Sequence, residues 1–417
     1  MTGMTIGLHM MLAAIELVSP GNDRVVALVP DCQRAMLTNR TLSARMAALK
    51  ADNKSGKALR HAKEWRMSKP VVFEWRATDG EKGPWEILVS KNPDLSNAQE
   101  VLFHDKKPDP ATGRDVESDS GGGLFRREES TLNLEIATRY YWRVSSSISS
   151  RRFADDIKNG RSNKPPSRES DVGTFVTEDL APRWIMLEGR TGNFRDLGGR
   201  IGMGGKRVRQ GMVYRSRGLN DNSFDGIRKG RNRLSVEDVE YLTKTLGIRT
   251  DLDLRSGGET AGMNGVSPMG PGVAFVHNSS ACYDKCFLAA GKRAMAKNFR
   301  VFCDEGNYPI LFHCIGGADR TGTLAYVLNG VLGVEKHELE TDWESTFYPN
   351  IPGGDETEGG NHDWKSEWHF NENFAKYGGP DSTWNERIAL YLLDCGVTQS
   401  EIDKFRSIML TEGASRP

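Results

Sequence analysis

Two residues of reactive type, Cys314 and Arg320, stand five residues apart in the stretch 309–324. An apolar run, Ile310 to Phe312, precedes the cysteine and predicts a buried strand, and the residues after the arginine predict a helix. Gly316 and Gly317 lie in the turn between them. A strand, a glycine-rich turn and a helix N-terminus together direct backbone N–H groups at an anion. The sequence therefore predicts an anion-binding loop that also carries a thiol.

Each polar residue of this stretch has a chemical role that fits phosphate transfer. A thiolate can attack phosphorus, and N–H groups and a nearby guanidinium lower the pKa of a thiol, so Cys314 is the candidate nucleophile. Arg320 can bind two phosphate oxygens, and Thr321 can donate a hydrogen bond to the sulfur. His313 is a candidate support of the junction between strand and loop. A lone cysteine or histidine at a strand end is also often structural. The predicted phosphate-binding loop comprises Ile315, Gly316, Gly317, Ala318 and Thr321.

The bulk properties exclude several classes of protein. The chain has 417 residues with 56 basic and 56 acidic side chains, so two or more domains are expected and no global charge attracts nucleic acid. Six scattered cysteines form no C-x-x-C pair, which argues against a disulfide scaffold or a metal site. No run of about 20 apolar residues predicts an integral membrane segment. Residues 4–18 are mostly apolar and could be a signal remnant or a lead-in to a strand.

The composition predicts three regions. Residues 1–66 form a lead segment, residues 67–180 form a β-sandwich, and residues 183–417 form an α/β domain. Short strand-like runs separated by turns predict the sandwich; they are 71–75, 85–90, 138–145 and 172–177. Strand and helix patterns then alternate, which predicts a mostly parallel central sheet flanked by helices. One predicted helix, within 234–242, has Ser235 and Asp238 in capping-box positions.

The sandwich region resembles a fibronectin type III domain. The features that match are an early tryptophan, Trp75, the strand Tyr-Tyr-Trp-Arg-Val at 140–144 and a closing Phe-Val-Thr at 175–177. The resemblance implies a module for spacing, or for contact with a protein or glycan, without chemistry of its own.

The motif HCIGGADRTG at 313–322 resembles the signature of the cysteine-dependent protein tyrosine phosphatases. Three further stretches, NFRDLGG at 193–199, YRSRGL at 214–219 and DLRSGGE at 253–259, occur in the same order and with the same spacing. Together they resemble the bacterial tyrosine/serine phosphatases that share the NFRDLGG motif. The resemblance covers about residues 183 to 417 and implies catalysis without a cofactor or metal.

The resemblance also implies residue roles. Cys314 would be the nucleophile, Arg320 the phosphate clamp, and Asp319 the general acid that protonates the leaving oxygen. Asp319 could instead be a structural carboxylate, and Asp253 and Asp342 are the other candidates for the acid. The motif residues that would steer phosphate, buttress the loop or form structural salt bridges are Arg195, Asp196, Arg215, Asp253 and Arg255.

One departure from the family pattern bears on the substrate. Members of this branch often have lysine at the position of Ala318, and that lysine is associated with the acceptance of phosphoinositides. Its absence favours a phosphoprotein substrate over a lipid. Phosphotyrosine is the expected substrate, with phosphoserine and phosphothreonine also open. An inositol phosphate or phosphoinositide phosphatase is the alternative, and a non-catalytic phosphopeptide-binding protein is a further one. The expected partner is a phosphorylated protein or a small phosphomonoester, and an exported or periplasmic location is slightly favoured.

Overall fold

The structure is a computed structural model. It describes residues 15–41, 43–45, 47–48, 68–77, 85–103, 117–118, 123–146, 168–187, 191–220, 234–260, 263, 265–347 and 370–411. The predicted signal remnant falls largely on residues 1–14, outside the described residues. In the described part of the chain, no helix combines the length and the apolar character needed to cross a membrane.

The strands and helices are numbered in chain order. The strands are β1 Ile15–Ser19, β2 Arg24–Val26, β3 Val71–Ala77, β4 Trp85–Ser90, β5 Gln99–Phe103, β6 Glu117–Ser118, β7 Leu124–Glu129, β8 Arg139–Ser145, β9 Gly173–Thr177, β10 Arg195–Asp196, β11 Val213–Ser216, β12 Thr250–Asp253, β13 Ala274–His277 and β14 Ile310–His313. The described α-helices are α1 Asp31–Thr38, α2 Val236–Glu240, α3 Ala289–Val301, α4 Asp319–Val331, α5 Lys336–Glu344, α6 Glu372–Phe374, α7 Trp384–Asp394 and α8 Gln399–Met409.

The N-terminal half contains two sheets that share one hydrophobic core. Their strand orders are β1-β3-β7-β6 and β2-β9-β8-β4-β5. Buried aromatic side chains of both sheets meet in the core: the rings of Trp75 and Trp85 are 5.5 Å apart, and those of Phe73 and Trp142 are 5.0 Å apart. Alternating burial along β3 and β8 follows from the pleat of a strand, which sends successive side chains to opposite faces. The likeness to fibronectin type III stays a prediction.

The lead segment contributes to both of these sheets. β1 pairs antiparallel with β3, and β2 pairs parallel with β9. β1 and β2, both within the predicted lead segment, therefore extend these two sheets. The predicted domain boundaries stay predictions.

The C-terminal half is built on a five-stranded sheet of order β10-β11-β14-β12-β13. β11, β14, β12 and β13 run parallel to one another, whereas β10 pairs antiparallel with β11. The sheet is therefore mixed, which corrects the prediction of a mostly parallel one. Two parallel neighbours need a crossover connection, which is usually a helix. The connection between β10 and β11, residues 197–212, contains only a 3-10 turn at Met203–Gly205. It returns the chain beside β10 as a hairpin does, so the two strands are antiparallel.

Both faces of this sheet are covered. Ile310 and Phe312 of β14 enter a core formed with α3, α4, α7 and α8, and Leu311 enters a second core on the opposite face with Leu242. This alternation places β14 in the centre of the sheet and confirms the strand predicted there. The capping box at Ser235 is also present, at the start of α2.

Candidate active site

The predicted anion-binding loop connects the end of β14 to the start of α4. β14 lies between β11 and β12, so the loop emerges at the middle of the edge where the parallel strands end. α4 begins at Asp319, two residues earlier than the sequence suggested, which places Asp319 and Arg320 in its first turn. Cys314 lies at the bottom of the loop and is only 2% exposed.

The carbonyl groups of the loop are held away from its centre. The Ile315 carbonyl accepts from the Gly218 N–H at 2.9 Å, and Asn193 Nδ2 donates to the carbonyls of Gly316 and Gly317 at 3.3 and 3.1 Å. Arg215 Nη2 also donates to the Gly317 carbonyl, at 2.7 Å. In a planar trans peptide the next N–H points opposite to the carbonyl. The N–H groups that follow these carbonyls therefore face the inside of the loop, where an anion can bind.

Gly317 is required by both its conformation and its surroundings. Its φ of 66° lies in the left-handed region, which glycine adopts without a steric penalty. A Cβ atom at this position would lie 2.5 Å from the carbonyl oxygen of Ser216. Any larger side chain would push the loop away from β11.

The surroundings of Cys314 favour its thiolate. Burial raises the pKa of the thiol, but the charge of Arg320 and hydrogen bonds from the hydroxyl and N–H of Thr321 and the N–H of Gly317 outweigh burial and hold this pKa below its usual value. The Thr321 hydroxyl is itself buried and has no other hydrogen-bond partner among the described residues. A larger share of Cys314 is therefore thiolate at neutral pH than in an ordinary cysteine.

Arg320 is held by a carboxylate that the sequence did not single out. Its Nη1 and Nη2 bond to the two carboxylate oxygens of Glu259, at 2.6 and 3.0 Å. Glu259 also accepts from the backbone N–H and the hydroxyl of Ser256, at 2.6 and 2.8 Å. Burial works to raise the pKa of Glu259, but these bonds lower it to about 2. The end-on pair leaves further N–H groups of the guanidinium for a phosphate.

Asp319 is half-buried and directly precedes Arg320 in the first turn of α4. Asp319 also affects the thiol of Cys282. Burial, followed by the negative charge of Asp319, raises the pKa of that thiol to about 11. Asp319 and Arg320 therefore lie close enough to Cys282 to act on its charge.

Behind the loop, Asp342 of α5 binds several arginines. Its Oδ1 is 2.9 Å from Arg195 Nε and 3.5 Å from Arg200 Nη2, and its Oδ2 is 2.5 Å from Arg215 Nη1. Burial works to raise the pKa of Asp342, but the three guanidinium groups hold it far below its usual value. A carboxylate so strongly held is ionised and serves as an anchor for Arg215, which in turn holds the carbonyl of Gly317.

The ends of β12 and β14 are linked by a second buried charge cluster. His313 Nε2 is 2.9 Å from Asp251 Oδ1, and His313 Nδ1 is 3.9 Å from Asp253 Oδ1. Burial lowers the pKa of His313, but the two carboxylates outweigh it and raise this pKa above its usual value. Asp253 also binds Arg255 with both oxygens, so Asp253 and Arg255 satisfy each other beside the loop.

Asp196 lies away from the loop centre. It accepts from the N–H groups of Gly198 and Gly211, at 2.8 and 2.7 Å, and pairs with Arg183 at 2.7 Å. These contacts fix the turn that follows β10.

The structure thus brings most of the predicted residues to one place, in three layers. Cys314, Asp319, Arg320 and Thr321 lie at the loop, Arg195 and Arg215 lie behind it, and His313, Asp253 and Arg255 lie beside it. Sequence reasoning missed Asn193, Glu259, Arg200 and Asp251. Asn193 and Glu259 lie within the NFRDLGG and DLRSGGE stretches, so the signal for these two was present.

Comparison with known proteins points to one family. Residues 186–350 match the model of the tyrosine phosphatase family. This stretch is less than half of the chain, and it contains the loop, arginine and carboxylate residues described above except Arg183. A protein of Cupriavidus necator named "Putative tyrosine-protein phosphatase" is 31% identical over 172 residues, which are 35% of this chain and 57% of that protein. The chain therefore spans little more than half of the curated relative that it matches.

Two solved structures are also similar over part of the chain. The catalytic core of Siw14 is 17% identical, with a TM-score of 0.24. The match covers 32% of this chain and 70% of the Siw14 chain. The core catalytic domain of the PP-IP phosphatase SIW14 from S. cerevisiae is 16% identical, with a TM-score of 0.22. The match covers 39% of this chain and 86% of that domain. TM-scores this low do not establish a common fold.

Proposed function

We propose that the protein hydrolyses phosphate monoesters through a phosphocysteine intermediate, and that its substrate is a phosphotyrosine-containing protein. The observation that carries the proposal is the loop itself: a buried thiol with a lowered pKa lies in a ring of N–H groups beside a fixed guanidinium. The match of residues 186–350 to the tyrosine phosphatase family supports the same chemistry.

The reaction would proceed in two steps. The Cys314 thiolate attacks phosphorus, an S–P bond forms, the P–O bond to the alcohol or phenol breaks, and Asp319 gives its proton to the leaving oxygen. Arg320 and the loop N–H groups bind the phosphoryl oxygens in both steps. Water then attacks the phosphocysteine and gives its proton to Asp319, inorganic phosphate leaves, and the thiolate is restored.

The arrangement of the arginines supports a substrate with one phosphate group. Arg195 and Arg215 are fully buried and bound to Asp342, and Arg255 is buried and bound to Asp253. These three motif arginines are therefore held by carboxylates. An inositol polyphosphate carries several phosphate groups and would need further cations around the loop. Position 318 holds alanine and not lysine, which agrees with a substrate of lower charge.

A small aryl phosphate assayed in EDTA tests the reaction. We expect turnover by the unmutated chain, and Cys314→Ser should reduce kcat by at least about three orders of magnitude, because a serine hydroxyl at this position is far less ionised than the thiol. Thr411→Ala, at the far end of the chain, is the control. Turnover by Cys314→Ser at the unmutated rate would refute the mechanism.

The substrate class is tested by kcat/KM for matched phosphopeptides and inositol phosphates. We expect the phosphotyrosine peptide to have the highest kcat/KM, followed by phosphoserine and phosphothreonine peptides. A higher kcat/KM for an inositol phosphate would assign the alternative substrate to the same loop. Tight binding of phosphopeptides without turnover would instead indicate a non-catalytic binding protein.

A further inference from the structure

One buried arginine of the lead segment, Arg45, forms ion pairs with the α/β domain. Its side chain is completely buried, although it lies about 270 residues before the phosphate-binding loop in the sequence. Arg45 Nε is 2.6 Å from Glu344 Oε2, and Arg45 Nη2 is 2.6 Å from Glu340 Oε2. Both glutamates belong to α5, and both are buried.

Arg45 bridges the two glutamates. Buried carboxylates are stable only when they are paired, and the described cations at this pair are Arg45 and, for Glu340, Lys336 at 3.3 Å. Since Glu340 and Glu344 lie one helical turn apart, a single guanidinium that binds both fixes the position and the rotation of α5.

α5 also carries Asp342, which lies between the two glutamates in the sequence. Asp342 binds Arg195 and Arg215, and Arg215 donates to the carbonyl of Gly317 in the loop at 2.7 Å. A contiguous series of buried charged contacts therefore runs from the lead segment through α5 to the loop.

We propose that Arg45 is a positioning residue for the phosphate-binding loop, which acts by fixing α5 and through it the contacts of Asp342, Arg215 and Gly317. This inference rests on the proposed function of the loop. It assigns a role to the N-terminal region that a spacing or binding module does not have: the region completes the support of the active site.

Alkylation of Cys314 in the full-length chain tests the proposal without any need for turnover. The rate of modification by iodoacetamide is followed from pH 5 to 9, and the modified cysteine is identified by peptide mass spectrometry. Arg45→Met keeps the length and most of the volume of the side chain but removes the guanidinium that binds both Glu340 and Glu344. We expect the loop to loosen and the Gly317 N–H to stabilise the thiolate less, so the pH midpoint moves up and alkylation at pH 6 slows at least about threefold.

The matched control is Arg34→Met. Arg34 belongs to the same segment and forms an ion pair of the same 2.6 Å length, but its partner Glu178 is not on α5. Alkylation in this variant should match that of the unmutated chain. Arg45→Lys is the second variant, because it keeps the buried charge but not the two-pronged geometry, and we expect a smaller shift in the same direction.

The outcomes separate the two proposals. If a folded Arg45→Met chain shows the same alkylation midpoint as Arg34→Met, the positioning role is refuted. If Arg45→Met does not fold, Arg45→Lys decides in the same way, and an unshifted midpoint refutes the role. If the unmutated chain alkylates at Cys314 with a low midpoint but hydrolyses no phosphate ester, the proposed function fails while the positioning role is still measured.

Discussion

At the scale of single residues, the site depends on groups that hold the reacting ones. Cys314 and Arg320 would contact the substrate, and Glu259, Asn193 and Arg215 hold the guanidinium and the loop carbonyls in place. Catalysis of phosphoryl transfer is mainly positioning and electrostatic stabilisation, so such holding contacts are expected to affect rate more than fold.

Glu259→Gln has two opposing effects on the loop. It removes the charged bidentate pair with Arg320, so the guanidinium becomes mobile, and it removes a negative charge from beside the bound phosphate. We therefore expect KM for an aryl phosphate to change little and kcat to fall about 10- to 100-fold, as the loss of charged hydrogen bonds implies.

Steady-state kinetics of the folded variant check this expectation. The control is Glu305→Gln, because Glu305 forms an exposed ion pair with Lys404 of α8, which is not a residue of the loop. An unchanged kcat for Glu259→Gln would show that Arg320 does not need this carboxylate.

At the scale of elements, local patterns were enough to predict the strand and helix that present the loop. β14 was recognised from its apolar run, and α4 from the residues after Arg320. α5 was not predicted, because its sequence KHELETDWE consists mostly of charged residues, which are usually exposed. Glu340, Asp342 and Glu344 are buried because their partners Arg45, Arg195 and Arg215 come from distant parts of the chain.

The same limit applies to the charged contacts themselves. The motif DLRSGGE was visible in the sequence, but the pairing of Glu259 with Arg320 depends on a contact 61 residues away, and that of Arg195 with Asp342 on one 147 residues away. Residue type and spacing therefore predicted which residues lie at the site. Which carboxylate pairs with which cation depends on tertiary contacts that the local sequence does not show.

The ends of β12 and β14 provide a prediction of pH dependence. His313, buried between Asp251 and Asp253, has a raised pKa, so its contribution to the free energy of unfolding is fully present below about pH 6.5, the unperturbed histidine value. As the pH rises through the raised pKa of the folded state, the imidazolium loses its proton and this stabilisation is lost.

Urea unfolding between pH 6 and 9 measures this effect. The difference in free energy of unfolding between the unmutated chain and His313→Gln should be largest at pH 6 and should decrease toward pH 9. His277→Gln serves as the control, because this histidine is exposed and its ring Nε2 bonds to the backbone carbonyl of Arg255. A difference that stays constant with pH would mean that His313 is neutral in the folded protein.

At the scale of the whole molecule, the sandwich and the α/β domain share buried contacts. Gln210 bonds to both backbone groups of Ile136, at 2.8 and 3.0 Å. Trp184 packs in a buried cluster with Val29 and Met36 of the N-terminal region. The guanidinium of Arg195 also lies 5.1 Å from the centre of the Trp184 ring. These contacts join the support of the loop to the packing between the two halves.

This arrangement predicts that the full-length chain unfolds in one cooperative transition, because neither half keeps all its buried contacts alone. Trp184→Ala removes the largest side chain of the shared cluster and should lower the free energy of unfolding by about 3–5 kcal/mol. Calorimetry should then show two transitions in place of one. Trp384→Ala is the control, since Trp384 bonds to Tyr326 within the α/β half and its loss should lower the transition temperature without splitting the transition. A single transition at the unmutated temperature in Trp184→Ala would mean that the two halves are coupled through other contacts, such as Arg45 with α5.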